Sequence, residues 1–264
     1  MSATPRERAA RPRARAGGVL NPRQRLALDL GTSAVRLWTP QAAAAIVEPA
    51  VIARMPDGRR VAGRAAAEAA VADGAKLISP IREGTVRDFA ACVDLLRVLV
   101  ARTGQSYGPE CSVLVGVPAT ATVRQGDLLA AVVRRAVGGR VTTVEQPLAA
   151  ALACGLGPAT DDLVTVDIGS GRIEVARIAD SRVTGAVRVH AGNALDPVHE
   201  IARCVRGMNV REPGVRRRRL VITGGGAMSP GLAARLAAWT GRSVTMPADP
   251  LLATLTGIRL LLTA

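Results

Sequence analysis

The sequence predicts an α/β protein in which two related sheet-and-helix domains face each other across a cleft, and three observations predict it. First, Leu163-Val164-Thr165-Val166-Asp167-Ile168-Gly169-Ser170-Gly171-Arg172-Ile173-Glu174-Val175-Ala176 reads as strand, glycine turn and strand, with an aspartate where the apolar run meets the turn. Second, Leu26-Ala27-Leu28-Asp29-Leu30-Gly31-Thr32-Ser33-Ala34-Val35-Arg36-Leu37 repeats that layout, so the chain reads as an internal duplication with one Asp-x-Gly hairpin per half. Third, the segments between and after the hairpins alternate strand and helix patterns, the order of an α/β fold with a mainly parallel sheet. Two hairpin tips facing each other make a cleft.

Composition narrows the function classes. With 264 residues and a hydrophobic fraction of 48%, the chain has enough apolar material for two modest domains. The formal net charge is +14, but Lys76 is the only Lys, and an Arg- and Ala-rich chain of this kind shows compositional bias more than the mark of an anionic partner. Single-strand nucleic-acid binders stack bases on aromatic side chains. Phe89, Tyr107, Trp38 and Trp239 are scattered singly, and no specific nucleic-acid binding is expected. Cys92, Cys111, Cys154 and Cys204 lack Cys-x-x-Cys spacing and sit among apolar or helical neighbours, as reduced thiols of a cytoplasmic protein do. No apolar run reaches the roughly 20 residues of a spanning helix, because Arg259 interrupts the nearest one, and the start has no signal-peptide apolar core.

Residues 1–25 carry Arg6, Arg8, Arg11, Arg13, Arg15, Arg23 and Arg25 among Ala, Pro and Gly, and read as a disordered basic arm. The arm is either a solvated tail or a tether to an anionic membrane surface, where each Arg contributes about 1 kcal/mol. The first domain is expected over 26–146. After its hairpin, 45–53 is strand-like, Met55-Pro56-Asp57-Gly58 turns, and 60–70 looks helical, within a small insert over 45–79. From Asp88, the residues Phe89, Cys92, Val93, Leu96, Leu99 and Val100 share one face at helical spacing until Gly104. The continuous apolar run 112–117, stopped by Pro118, suits a strand buried on both faces. A helix through Leu128, Leu129, Val132, Val133 and Ala136 closes at Gly138-Gly139. Strand 141–144 follows, and Pro147 fits the first turn of a helix over 148–154.

The second domain is expected over 147–264. Beyond its hairpin, Asp180-Ser181 turns into strand 182–189, and 197–207 reads as a helix. The run Arg216-Arg217-Arg218-Arg219 precedes a strand ending in Thr223-Gly224-Gly225-Gly226-Ala227, and Ser229 and Pro230 suit the N-cap and first position of the next helix. Strand 243–246 and a terminal helix over 249–264, packing back toward the first domain, complete the chain. His190 and His199 have no metal-binding neighbours at ligand spacing and are expected to be structural.

Glycines at strand ends present backbone N–H groups to phosphates, and a neighbouring aspartate holds Mg²⁺ through water. Three such turns point to a nucleotide. Gly-x-x-x-x-Gly-Lys-Ser/Thr is absent, which excludes a P-loop, and the triple glycine is too loose a match for a dinucleotide site.

In their order these motifs resemble the actin-like ATPases, most closely the bacterial MreB family, from about Leu26 to the end. Asp29-Leu30-Gly31-Thr32 is similar to the family's first phosphate loop, and Pro80-Ile81-Arg82-Glu83-Gly84-Thr85-Val86-Arg87-Asp88-Phe89 to its signature before the first long helix. Val115-Gly116-Val117-Pro118 and Glu145-Gln146-Pro147-Leu148-Ala149-Ala150-Ala151 resemble the strand and helix between the halves. Asp167-Ile168-Gly169-Ser170-Gly171 matches the second phosphate loop, Thr223-Gly224-Gly225-Gly226-Ala227 the adenosine loop, and Asp249-Pro250-Leu251 the approach to the final helix.

The resemblance implies an actin-like ATPase fold of two duplicated ribonuclease-H-like domains around a cleft, the second one truncated. It implies a cytoskeletal or scaffold role in cell shape or cell-wall organisation, in the cytoplasm or at the inner face of the cell membrane. It further implies ATP or ADP with Mg²⁺, held by Asp29, Gly31, Thr32, Ser33, Asp167, Gly169, Ser170, Gly171, Arg172, Gly224, Gly225 and Gly226, with Asp29 and Asp167 facing the metal through water. Gln146, with Glu145 one place earlier, stands at the catalytic carboxylate position. Self-association or assembly with MreB-type filament proteins is the implied partnership. A weak ATPase and a non-cycling pseudo-ATPase adaptor are the other readings.

The chain also departs from the family pattern. Arg172 and Ile173 replace two threonines, one of which orients the attacking water, and Gln146 replaces the carboxylate, as in actin. Between Ala191-Gly192-Asn193 and the strand before the triple glycine, a short helix and the arginine run 216–219 stand in for a whole subdomain that clamps adenosine and contributes to the filament contact. Impaired hydrolysis, nucleotide affinity and polymerisation follow as expectations. The arginine run is either a solvated connector or a patch for anionic lipid or an acidic partner. Two carboxylates about 6 Å apart repel by roughly 3 kcal/mol at an effective dielectric of 20. A guanidinium at Arg172 either offsets this in an empty cleft or binds a phosphate directly; the first, with weak or absent nucleotide binding, is the expectation.

Overall fold

The computed structural model describes residues 24–156, 162–170, 172–189, 197–208 and 218–264. Most of the basic arm, Gly171, His190, the Ala191-Gly192-Asn193 turn, Arg216 and Arg217 lie outside the described residues.

The first half runs β1 (Arg25–Leu30), β2 (Ala34–Trp38) and β3 (Ile46–Pro49), then an insert of β4 (Ile52–Arg54), β5 (Arg60–Ala62), α1 (Arg64–Ala72) and β6 (Lys76–Ile78). A ribbon of β7 (Ile81–Arg82) and β8 (Thr85–Val86) leads into α2 (Phe89–Ala101), β9 (Ser112–Val117), α3 (Val123–Val137), β10 (Arg140–Glu145) and α4 (Gln146–Ala153). The second half runs β11 (Asp162–Gly169), β12 (Arg172–Ala179), β13 (Arg182–Val189), α5 (Val198–Gly207), β14 (Arg218–Thr223), α6 (Leu232–Thr240), β15 (Ser243–Thr245) and α7 (Ala253–Thr263). Apart from the insert and ribbon, each half is three strands, helix, strand, helix, strand, helix.

The two main sheets repeat one topology, β3-β2-β1-β9-β10 and β13-β12-β11-β14-β15. In both, the hairpin strands pair antiparallel and the later two strands add in parallel on the far side. The expected mainly parallel sheet is thus corrected to a mixed one. A tight hairpin turn permits only an antiparallel neighbour, and the hairpin meander supplies half of each sheet's pairings.

Helices cover the sheets because their apolar stripes match the sheet faces. Leu26, Leu28 and Leu37 of the first sheet pack with Leu95, Leu96 and Leu99 of α2 and Val132 and Val133 of α3, each buried Leu contributing about 2 kcal/mol. Val164, Val166 and Val175 of the second sheet meet Ile201 and Val205 of α5 and Leu236 of α6. Asp88 starts α2 by accepting the Ala91 N–H at 2.9 Å, and Thr122 and Gln125 form a capping box on α3.

Several boundaries differ from the sequence reading. The strand-like 45–53 divides between two sheets, and Gly63, with φ +66°, ends β5 before α1 begins. Phe89 opens α2 at its exposed first position instead of joining its apolar face. Gly231, with φ +70°, caps α6 in place of Ser229, because Gly225–Met228 forms a 3₁₀ turn first. Asp249 caps a turn, accepting the Leu251 and Leu252 N–H groups, and α7 starts later.

The equivalent helices α4 and α7 pack on each other beside β1. A Cβ on Gly257 would collide with the backbone of Ala149, so the two helices cross in backbone contact. Among the described residues, no helix is long and apolar enough to cross a membrane.

Candidate functional site

Matching topology brings matching hairpin tips to one place. Asp29 near the end of β1, Gly31, Thr32 and Ser33 of the first tip, and Asp167, Gly169, Ser170 and Arg172 of the second surround a cleft of about 350 Å³. Gln146 at the start of α4, Gly84 of the β7–β8 turn and Gly225 and Gly226 of the 3₁₀ turn complete its walls.

Gly224 stands immediately behind that wall. Its φ is +81°, its N–H donates to the Pro250 carbonyl at 2.9 Å, and a Cβ would collide with the Ile168 carbonyl and the Asp167 carboxylate. A Cβ on Gly226 would likewise collide with the side chain of Ile168. Glu145 does not join the cleft. It lines a separate hollow of about 400 Å³ between α3 and β10, with Asp127 and Arg134, since neighbouring residues at a strand end face opposite ways.

The polar side chains form one connected network. Arg172 NH1 donates to the Glu83 carbonyl at 3.1 Å and NH2 to Gln146 Oε1 at 3.3 Å, while NH2 lies 4.0 Å from both Asp167 Oδ2 and Glu174 Oε2. Gln146 Nε2 in turn donates to Asp29 Oδ1 at 3.0 Å, which fixes the amide's orientation between an arginine and a carboxylate. Arg36 NH1 pairs with Asp29 Oδ2 at 3.1 Å, and the Thr223 hydroxyl donates to Asp167 Oδ1 at 3.2 Å.

Further bonds cross between the halves. Glu174, 1% exposed, accepts the Thr120 N–H at 3.0 Å, the Thr120 hydroxyl at 2.6 Å and the Ala119 N–H at 3.3 Å. Arg188 bridges Glu83 Oε2 at 3.1 Å and Thr120 Oγ1 at 3.3 Å. The β7–β8 turn, with Glu83 at φ +51° and Gly84 at φ +69°, touches both hairpins: Gly84 N–H donates to Thr32 Oγ1 at 2.9 Å while the Glu83 carbonyl receives Arg172.

The Asp167 side chain is 32% exposed toward the cleft, yet the surrounding protein leaves its charge poorly solvated. Burial pushes its pKa above the ordinary value, with Asp29 and Glu174 adding to the rise and Arg172 and the Thr223 bond opposing it. Burial and Glu174 also raise Glu145. Elsewhere, burial pushes the Cys92 thiol up to about 12 and Cys111 to about 11, which leaves both thiols protonated and inert. His199 stacks edge-on against Trp239 at 4.3 Å.

Arg36, Glu174, Arg188 and Pro250-Leu251 are members of this region that the sequence reading does not assign to the site, while Thr223 enters it as the first residue of the loop compared with the family's adenosine loop. Arg36 had a findable signal: a symmetric hairpin about Thr32-Ser33 places it opposite Asp29, the register observed.

Two meander-plus-parallel sheets around a cleft between hairpin tips define the actin-like class of folds. The crystal structure of MreB5 of Spiroplasma citri bound to ADP superposes with a TM-score of 0.74 over 90% of this chain and 96% of that one, at 17% identity. The MamK double helical filament superposes with 0.69 over 90% and 98%, at 18% identity. In sequence, the cell shape-determining protein MreB of Escherichia coli (strain K12) is 29% identical over 233 residues, 74% of this chain and 66% of the relative. The Haemophilus influenzae protein of that name is 28% identical over 73% of this chain and 58% of its own length, so the chain spans about two thirds or less of these relatives. The family model described as MreB/Mbl protein matches residues 23–209, and the chain belongs to that family.

Proposed function

We propose that this chain is an MreB-like scaffold of the bacterial cytoskeleton, acting in cell-shape or cell-wall organisation through self-association or attachment to MreB-type filaments. Its cleft descends from an ATP site and is now degenerate, with weak nucleotide binding and no hydrolytic cycle. The working place is the cytoplasm, at the inner membrane face if the basic arm meets anionic lipid. The similarity to the MamK double helical filament supports self-association, and the similarity to MreB5 bound to ADP supports a nucleotide-derived cleft.

The observation that carries the degenerate reading is Arg172. Its guanidinium lies at the second hairpin tip, tied to Glu83 and Gln146. An attacking water needs a free hydrogen-bond acceptor beside the tip to orient it. The guanidinium that replaces the family's threonine cannot accept, and the Gln146 amide is already held between Asp29 and Arg172.

Sedimentation with and without ATP, together with a phosphate-release assay, tests the proposal. Assembly is expected to be the same with and without ATP, with no release of phosphate above background. ATP-dependent pelleting accompanied by phosphate release overturns it in favour of a cycling ATPase.

A further inference from the structure

Both aspartates of the cleft already face donors supplied by the chain itself. Asp29 receives Arg36 on Oδ2 and Gln146 on Oδ1, at 3.1 and 3.0 Å. Asp167 receives the Thr223 hydroxyl on Oδ1 and faces Arg172 with Oδ2, at 3.2 and 4.0 Å. Each arginine is seated against a glycine: a Cβ on Gly31 would come within 3.2 Å of Arg36 NH1, and one on Gly84 would collide with Arg172 NH1. Their side chains are only 12% and 8% exposed, and both line the cleft.

Magnesium takes near-octahedral oxygen ligands at about 2.1 Å and keeps several of its waters. It needs carboxylate lone pairs turned toward it and no competing cation at the same spot. These residues do not fit that need. The Asp29 oxygens point at an arginine and an amide donor, Asp167 points at a hydroxyl and an arginine, and among the described residues no group of three carboxylate, His or Cys side chains could hold a metal ion. Two guanidinium groups carry the same +2 charge as one divalent cation, and their planar forks match phosphate oxygens.

We propose that Arg36 and Arg172 stand in for the divalent cation, making the cleft a metal-independent site for a polyphosphate-bearing nucleotide. The inference rests on the reading of the cleft as a non-hydrolysing relic of an ATP site. The phosphates lie between the two arginines, beside Thr32, Ser33 and Ser170 of the tips and Gly225 and Gly226 of the 3₁₀ turn.

Calorimetric titration of the whole chain with ATP, with ADP and with pyrophosphate, each in Mg²⁺ and in EDTA, tests this directly. The expected result is one affinity for each ligand in both buffers. Arg172→Gln should weaken binding in EDTA about tenfold, the loss of one charge-assisted contact. Arg36→Gln serves the same purpose if the first variant does not fold. Binding that tightens about tenfold with Mg²⁺, no binding of any of the three ligands, or affinity unchanged in a folded arginine variant overturns the inference. None of these touches the scaffold reading, which falls only to nucleotide-driven assembly with phosphate release.

Discussion

The two hairpins share a topology and a placed aspartate, yet they reach in different directions. In the first, the partner of Asp29 is Arg36, directly across the strand pair, and the ion pair stays inside its own half. In the second, the residue opposite Asp167 is Glu174, and it reaches out of its half to the backbone and hydroxyl of Thr120. Arg172 and Arg188 do likewise, both landing on Glu83. The first hairpin is self-contained, and the second is a tie. Duplicated folds keep the backbone plan in both copies, while single side chains decide which copy holds the molecule together.

The comparison can be broken where the halves meet. Gly257→Leu would drive a side chain into the Ala149 backbone of α4, and a loss of about 3 kcal/mol or more is expected, read as a lower midpoint in urea or as failure to fold. The asymmetry itself is sharpened by a pair of variants. Glu174→Ala leaves two backbone N–H groups and a hydroxyl without their acceptor and should cost about 2–3 kcal/mol, whereas Arg36→Ala should cost about 1 kcal/mol, because Asp29 keeps Gln146. Equal losses in chemical denaturation would erase the distinction drawn above.

A pH series probes the second hairpin at Asp167. The folded protein holds the Asp167 proton to higher pH than the unfolded chain, since burial raises its pKa above the ordinary 3.8. Its contribution is therefore fully present below that value and is lost as pH rises through the folded pKa. Asp167→Asn should flatten this decline, so that Tm at neutral pH rises modestly relative to the parent while Tm in acid changes little. The smallest effect belongs to the insert, present in the first half alone. Arg60 of β5 pairs with Asp94 of α2 at 2.7 Å, both partly exposed. Asp94→Ala should cost no more than about 0.5 kcal/mol, below the change seen for any cleft variant.

Much of this architecture was legible from residue pattern. Alternation and an Asp-x-Gly turn give both hairpins, and the apolar stripe of α2 gives its register and buried face. Sequence alone misplaces the helix boundaries near Ser229 and Asp249, because both residues are good caps in isolation and tertiary contacts make the choice: Gly224 docks on Pro250, and a 3₁₀ turn precedes α6. In the site, glycines and aspartates carry local signals. Glu174 and Arg188 carry none, since each is an ordinary strand residue whose partner is 54 or 105 positions away. Arg172 stands out in the sequence as a replacement for a threonine, but its bond to the Glu83 carbonyl depends on a turn with two successive positive φ angles that no pattern announces.

Those separations also set an order of events in folding. The hairpins close over a few residues, while the bonds of the cleft join positions 52, 89, 105 and 117 apart. Loop-closure entropy must be met before such contacts return any energy; β1 and β9 themselves pair 87 positions apart, and since the bonds between halves also need both sheets in place, the cleft network assembles on halves that already hold their sheets. In reverse, it is the first part to let go. The amide protons of Gly84 and Thr120 should then exchange with solvent through partial openings that leave the two sheets intact.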